Sequence, residues 1–388
     1  MPVDNWVSGC LDELVAFRHD LHSNPELLYD LPRTSAQVAS ALRKAGCDEV
    51  VEGIGKTGVV AVIRGKSNTS GRAIGLRSDM DALPILEATG KPWASKTPGK
   101  MHACGHDGHT TMLLGAAMGL VQSRAFDGTA VLIFQPAEEG GAGARAMIED
   151  GLFRRWPVSE VYGMHNRPNL PVGEFTIAPG SIMGSVDMID IEIEGVGGHA
   201  AMPHQTVDPA PVIAALIQAV QTITARTINP MDSAVISITT IHGGDAFNVI
   251  PQTIRMTGTV RTLKDSVRDH VEARLNQAVT GIAAAYGAKG KLDYSRHYPV
   301  TVNHAQETEL AAVAAEAVAG VGRVTRDMPA TLGGEDFAFM LNEVPGAMIN
   351  IGNGPSAGLH HPAYDFNDEA IAWGCSYWCE LVRQRLPL

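Results

Sequence analysis

Residues 129–148 read TAVLIFQPAEEGGAGARAMI: an apolar run, then the adjacent carboxylates Glu138 and Glu139, then a glycine-rich turn that opens a helix. The run shows no alternation of polar and apolar positions, so both faces of the strand must be covered, as in a helix-flanked parallel sheet. The same pattern extends outward in both directions. GVVAVIRG (58–65) and AIGLRS (73–78) precede it as strands, a helix is predicted from about His106 to Ser123, and VYGMH (161–165) follows as a strand. Near the N-terminus, Trp6, Leu11, Leu14, Val15 and Leu21 have helical spacing over residues 4–23, ending before Pro25. Strands alternating with helices predict an α/β domain built on a mostly parallel sheet.

Residues 184–298 follow a different order. Strand VDMIDIEIEG, helix 207–226, strands AVISITTI and TIRMTGTV, helix 265–285 and strand KLDYSRH make β-α-β-β-α-β, a ferredoxin-like unit. The first pattern then resumes with helix 305–319, strand GAMINIG (346–352) and a closing helix at 367–384. The expected organisation is a discontinuous domain, 1–183 with 299–388, carrying an inserted α+β domain at 184–298.

The chain has 388 residues, enough for about two domains with cores of their own. Its net charge is -12 and its Lys and Arg are scattered, which leaves no basic footprint for nucleic acid. The Ala/Val-rich run Ala311–Val321 contains Glu316 and is too short to span a bilayer. No secretory signal is read in MPVDNWVSGCLDEL, and five dispersed cysteines suit reduced thiols, so the expected location is the cytoplasm.

GIGKTG (53–58) matches a dinucleotide fingerprint, but a strand follows it where a pyrophosphate needs a helix N-terminus, and Val50 stands where a Walker A loop needs glycine. The chemistry is denser in MHACGHDGHT, where His102, Cys104, His106 and His109 fall within eight residues. Thiolate and imidazole so close together suit a divalent metal such as zinc; equally, Cys104 reads as a small buried hydrophobe and His109 as a satisfied helix residue. Glu138 and Glu139 lie past one strand end and His165 past another, where open α/β sheets bind their ligands. Two adjacent carboxylates there can divide the work, one holding metal and one accepting a proton from water. GLHHPAYDFND adds His360 and His361, and GGEDFAFM adds Glu335 behind Gly333 and Gly334, a backbone that allows close approach. In the inserted region, His199 and His204 lie in a Gly/Pro-interrupted loop, and Asn248 in FNVIPQ and Arg261 in TGTVR complete its candidate polar residues. Arg261 reads either as a grip for a substrate carboxylate or as a solvated strand-end cation.

Taken in order, SDMDALP, MHACGHDGHT, QPAEEG, GMHN, GGHAAMPH, NVIPQ, GGEDFAFM and LHHPAYDFND resemble the amidohydrolase family of hippurate hydrolases, aminoacylases and indoleacetyl-amino acid hydrolases. The resemblance spans nearly the whole chain. It implies a zinc-peptidase-like catalytic domain with an inserted dimerisation domain, and a homodimer or dimer-based tetramer. It implies two divalent ions per subunit (Zn, Mn, Co or Ni) held by Cys104, His106, Glu139, His165 and His360, with Glu138 as general base. His199 is implied to stabilise the oxyanion in the partner subunit's site. Asn248, Arg261, Gly334 and Glu335 are implied to bind substrate, with Asp79 and Asp81 behind the metal ligands. The implied reaction hydrolyses N-acyl amino acids to a carboxylic acid and an amino acid. Dipeptidase or carboxypeptidase action, a Cys104 thiol hydrolase and a non-catalytic N-acyl amino acid binder are the alternatives. One departure is Asn303-His304, where the family pattern has Asn-Asp.

Overall fold

The computed structural model describes residues 5–388; Met1–Asp4, where the predicted first helix and the acidic N-terminal stretch begin, lie outside the described residues. The chain opens with α1 (Asn5–Ser23), α2 (Pro32–Ala45), β1 (Glu49–Ile54), β2 (Gly58–Arg64) and β3 (Ala73–Asp79). It continues through α3 (His106–Ser123), β4 (Thr129–Gln135), α4 (Gly143–Glu149), α5 (Leu152–Arg155), β5 (Glu160–Arg167), β6 (Phe175–Thr176) and β7 (Gly180–Met183). The middle holds β8 (Val186–Glu194), β9 (Gly198–His199), α6 (Pro209–Arg226), β10 (Ala234–His242), β11 (Val249–Ile250), β12 (Thr253–Thr262), α7 (Asp265–Ala285) and β13 (Lys289–Tyr298). The chain closes with β14 (Thr301–Asn303), α8 (Ala305–Ala319), β15 (Val324–Thr325), α9 (Ala338–Glu343), β16 (Gly346–Gly352) and α10 (Glu369–Arg385).

Two units emerge. The first takes the chain up to Gly180, then Val302–Pro329 and Asp336–Leu388; the second takes Ser181–Thr301 and Ala330–Glu335. The first unit holds an eight-stranded sheet in the order β1-β2-β4-β3-β5-β16-β6-β15. Its centre is parallel, with β3 pairing β4 and β5, and β5 pairing β16, while β1, β2 and β4 run antiparallel at one edge. Val131, Leu132, Ile133 and Phe134 of β4 are all buried, as a strand covered on both faces requires. Helices α1 and α10 pack on α3 over a core that includes Leu14, Met112, Leu120 and Trp378. No element is predicted for residues 26–57, and α2 and β1 fill most of them. Helix α2 begins with Pro32 and stops at a left-handed Gly46, burying Val38, Ala39 and Leu42. GIGKTG is the hairpin turn between β1 and β2, with no helix after it. Asn303, at the family departure, bonds Met348 through its amide and is buried, and His304 Nδ1 accepts from Gly346 N at 3.1 Å.

In the second unit, an antiparallel sheet ordered β10-β12-β8-β13 packs with α6 and α7. Alternation decides its faces: Ile189, Ile191 and Ile193 of β8 enter a core with Val212, Leu216, Val271 and Leu275, while Met188, Glu192 and Glu194 are exposed. A two-residue ribbon pairs β9 with β11, His199 opposite Val249. Ala330–Glu335 belongs to this unit, outside the expected 184–298 span: Gly184 N donates to Gly333 O at 2.8 Å and Thr331 N to Ile182 O at 3.0 Å. A short stretch without periodicity carries no signal of which core it will join. Among the described residues, no helix is long and apolar enough to cross a membrane.

Candidate metal centre

The C-terminal ends of β3, β4 and β5 in the first unit deliver the polar residues. Asp79 ends β3, and Asp81 follows on a coil that leads to Cys104 and the start of α3 at His106. Between the two ligand candidates, Gly105 takes φ +86°, and a Cβ there would meet Asn166 Nδ2 and Tyr364 Oη at 2.4 Å. Only glycine combines that conformation with that approach. Past β4, Ala137 turns the chain at φ 53°, and both carboxylate oxygens of Asp81 are used to hold the turn. They accept from Glu138 N at 2.9 Å and Glu139 N at 3.1 Å. His165 lies near the end of β5. His360 follows β16 at φ 63°, its amide donating to Ala103 O at 2.8 Å.

Cys104, His106 and His165 form one set of donors and Cys104, Glu139 and His360 another, the atoms of each set lying within 4.8 Å of one another. Cys104 Sγ is 3.4 Å from His165 Nε2, and His360 Nε2 is 3.2 Å from Glu139 Oε1. A third set, His106 with Glu138 and Glu139, borders both. Both ring nitrogens of fully buried His106 lack a hydrogen-bond partner. Buried polar atoms are seldom left so, and a cation among two triads that share a thiol satisfies them. His165 is already oriented for that role, because its Nδ1 donates to Asn166 O at 2.7 Å and leaves Nε2 facing the thiol.

His109 also groups with Asp79 and His106, but both its nitrogens are engaged. Nδ1 is 2.6 Å from Asp79 Oδ1, and Nε2 accepts from Asn166 N at 2.9 Å, so this ring has no lone pair left for a metal. The electrostatics point the same way as the donor geometry. Burial works against a charged His106, yet Asp79, Asp81 and Glu139 hold its pKa up at about 10. Burial, then Glu139, Glu138 and Asp79, push the Cys104 thiol well above its ordinary range. His165 is lowered, chiefly by burial. This concentration of negative charge calls for a cation, and Cys104 becomes a thiolate readily only beside one.

A model of peptidase family M20/M25/M40 matches residues 75–384, which includes every residue of the two triads. The chain belongs to this family. An N-acetylcysteine deacetylase of Bacillus subtilis (strain 168) is 40% identical over 370 residues, 95% of this chain and 96% of that protein. A hippurate hydrolase of Campylobacter jejuni is 40% identical over 385 residues, 98% of this chain and 100% of that protein. The solved structure of the Bacillus subtilis YXEP protein, described as a dinuclear metal binding peptidase of the M20 family, superposes with TM-score 0.86 at 37% identity, covering 98% of this chain and 99% of that one.

In this M20/M25/M40 chain the remaining candidates lie in the second unit. His199 is exposed on β9, its Nδ1 accepting from Ala201 N at 3.1 Å, so the neutral ring carries its proton on Nε2. Asn248 O accepts from Ala200 N at 3.1 Å, which puts Asn248 on the same ribbon. Gly334 lies beside Arg261, whose Nη1 would stand 3.4 Å from a Cβ at that glycine. Arg261 has its pKa lowered by burial, with Asp187 opposing. Glu335 is buried, its carbonyl accepting from Thr301 Oγ1 at 3.3 Å. Two buried supports escape a search for ligand types, Arg77 and Asn166. Arg77 bonds Asp79 at 2.9 Å, Gln135 at 2.8 Å and Asp336 at 3.0 Å. A charged residue inside the otherwise buried run AIGLRSD was the signal available for it.

Proposed function

We propose that this chain hydrolyses the amide bond of N-acyl amino acids with two divalent ions, one held by Cys104, His106 and His165 and the other by Cys104, Glu139 and His360. The observation that carries it is the pair of triads sharing a buried thiol, with Glu138 at their border and orphaned nitrogens on His106. The family and the relatives named hippurate hydrolase and N-acetylcysteine deacetylase support the same substrate class. Divalent ions at such a site act as Lewis acids toward an amide carbonyl and acidify water.

Everything else falls to the chain's own side chains. Glu138, fixed through its amide by Asp81, takes the proton of the attacking water and returns it to the nitrogen of the leaving amino acid. Glu139 holds metal. His199, with a donor at Nε2, stabilises the oxyanion from the partner of a homodimer or dimer-based tetramer. Asn248, Arg261, Gly334 and Glu335 serve the substrate's carboxylate end, Arg261 through its paired N–H groups. Zinc, manganese, cobalt and nickel all suit a Cys/His/Glu donor set, and five free cysteines suit the reducing cytoplasm.

Benzoyl-, acetyl- and indoleacetyl-amino acids should be hydrolysed by metal-restored protein and not by chelated protein. Hydrolysis that survives complete removal of metal would return Cys104 to the role of nucleophile, and binding without product release would leave a non-catalytic binder.

A further inference from the structure

Asn166 follows His165 at the end of β5 and is 1% exposed. Its Nδ2 donates to the carbonyl of Cys104 at 2.6 Å and lies 2.9 Å from His109 Nε2. Its Oδ1 accepts from the Tyr364 hydroxyl at 2.7 Å. Its backbone N donates to His109 Nε2 at 2.9 Å, and its carbonyl accepts from His165 Nδ1 at 2.7 Å. A carbonyl can only accept, so the bond to Cys104 O fixes which end of the amide faces α3 and rules out the flipped side chain. Three of these contacts end on segments that bear a proposed ligand: the Cys104–Gly105–His106 turn, the His165 ring, and the loop running from His360 to Tyr364. Behind it, His109 is braced by Asp79 at 2.6 Å, and Asp79 by Arg77 at 2.9 Å.

We propose that Asn166 is a positioning residue of the metal centre, one side chain that sets the spacing between Cys104, His165 and the His360 loop. The proposal rests on the metal reading above. Hydrogen bonds behind metal ligands orient them and tune affinity, and their loss typically costs about 10- to 100-fold in metal binding. No ligand atom comes from Asn166 itself, so its removal should leave the donors in place and misaligned.

The test uses the full chain, stripped with chelator and titrated with Co(II), following affinity, the thiolate-to-cobalt absorption band and the thermal midpoint of the metal-free form. Asn166→Ala should weaken Co(II) binding by about 10- to 100-fold and shift the thiolate band. Tyr364→Phe, which loses only a hydroxyl, should weaken it by about threefold or more. Tyr162→Phe is the control: its hydroxyl bonds Glu160 at 2.7 Å in the same unit, so its loss should lower the midpoint and leave Co(II) binding alone. Unchanged affinity and spectrum in Asn166→Ala overturn the proposal, and Tyr364→Phe decides in its place if the alanine variant does not fold. Equal weakening in Tyr162→Phe overturns it too, since any buried loss would then do the same. Wild-type protein that binds no Co(II) overturns the metal reading instead.

Discussion

Glu138 and Glu139 share one turn and one pair of bonds to Asp81, yet they should fail in different ways. Glu138→Gln keeps the shape of the side chain and loses the base, so bound metal should stay while turnover drops by about 10² to 10⁴. Glu139→Gln should lose metal first, and metal analysis showing the reverse would exchange the two roles. Cys104→Ala should lower bound metal per chain, which a nucleophile has no reason to do. Beside the centre, burial would lower the pKa of His22, but Asp107 at 2.8 Å and Glu87 outweigh it and hold the pKa at about 9. A pKa raised from 6.5 means stabilisation that is complete below that pH and lost as pH climbs through about 9. The gap in thermal midpoint between wild type and His22→Gln should therefore narrow from pH 6 to about 9.5, and a gap constant with pH would show that His22 is neutral in the fold.

At the scale of elements, the proposed ligands sit at strand ends, at one helix start and in the His360 loop, and the first two are what periodicity reads best. Helices at 106–123 and 305–319 are found where the apolar spacing predicts them, and β4 where the unbroken apolar run does. The turns between them obey close contacts instead. Gly105→Ala forces a side chain into left-handed backbone and against Asn166 and Tyr364, a cost of about 1–3 kcal/mol before any metal is considered. Its metal-free thermal midpoint should fall and its metal affinity with it; wild-type values for both would mean that the turn relaxes freely. The His360 loop depends on a partner far away in sequence, with Ala88 N donating to Pro362 O at 2.8 Å and Lys91 bonding Asp365 at 2.8 Å.

For the whole molecule, the issue is that His199 and the metal triads belong to different units. If His199 serves the partner's site, His199→Ala should cut turnover by roughly 10² with metal content unchanged. A chain lacking His199 and a chain lacking Glu138 should then complement each other, because one site of their heterodimer pairs an intact Glu138 with an intact His199. Verified heterodimers that stay inactive would confine His199 to its own chain or remove it from the reaction.

Much of this protein is legible without coordinates, for a physical reason. Burial on both faces imposes an unbroken apolar strand, burial on one face imposes alternation, and metal chemistry admits few residue types, so β4, β8 and the Cys/His/Glu set all announce themselves locally. Convergence does not. That Cys104 is common to two triads of donors, that His109 is spent on Asp79 and Asn166, and that Asn166 bonds three segments bearing proposed ligands all depend on contacts between residues 30 or more positions apart. The same holds for Ala330–Glu335, which joins the second unit through pairing with Ile182 and Gly184. Such choices are settled by which buried donor meets which buried acceptor once the chain has closed, and a pattern read over a few neighbouring residues holds no record of it.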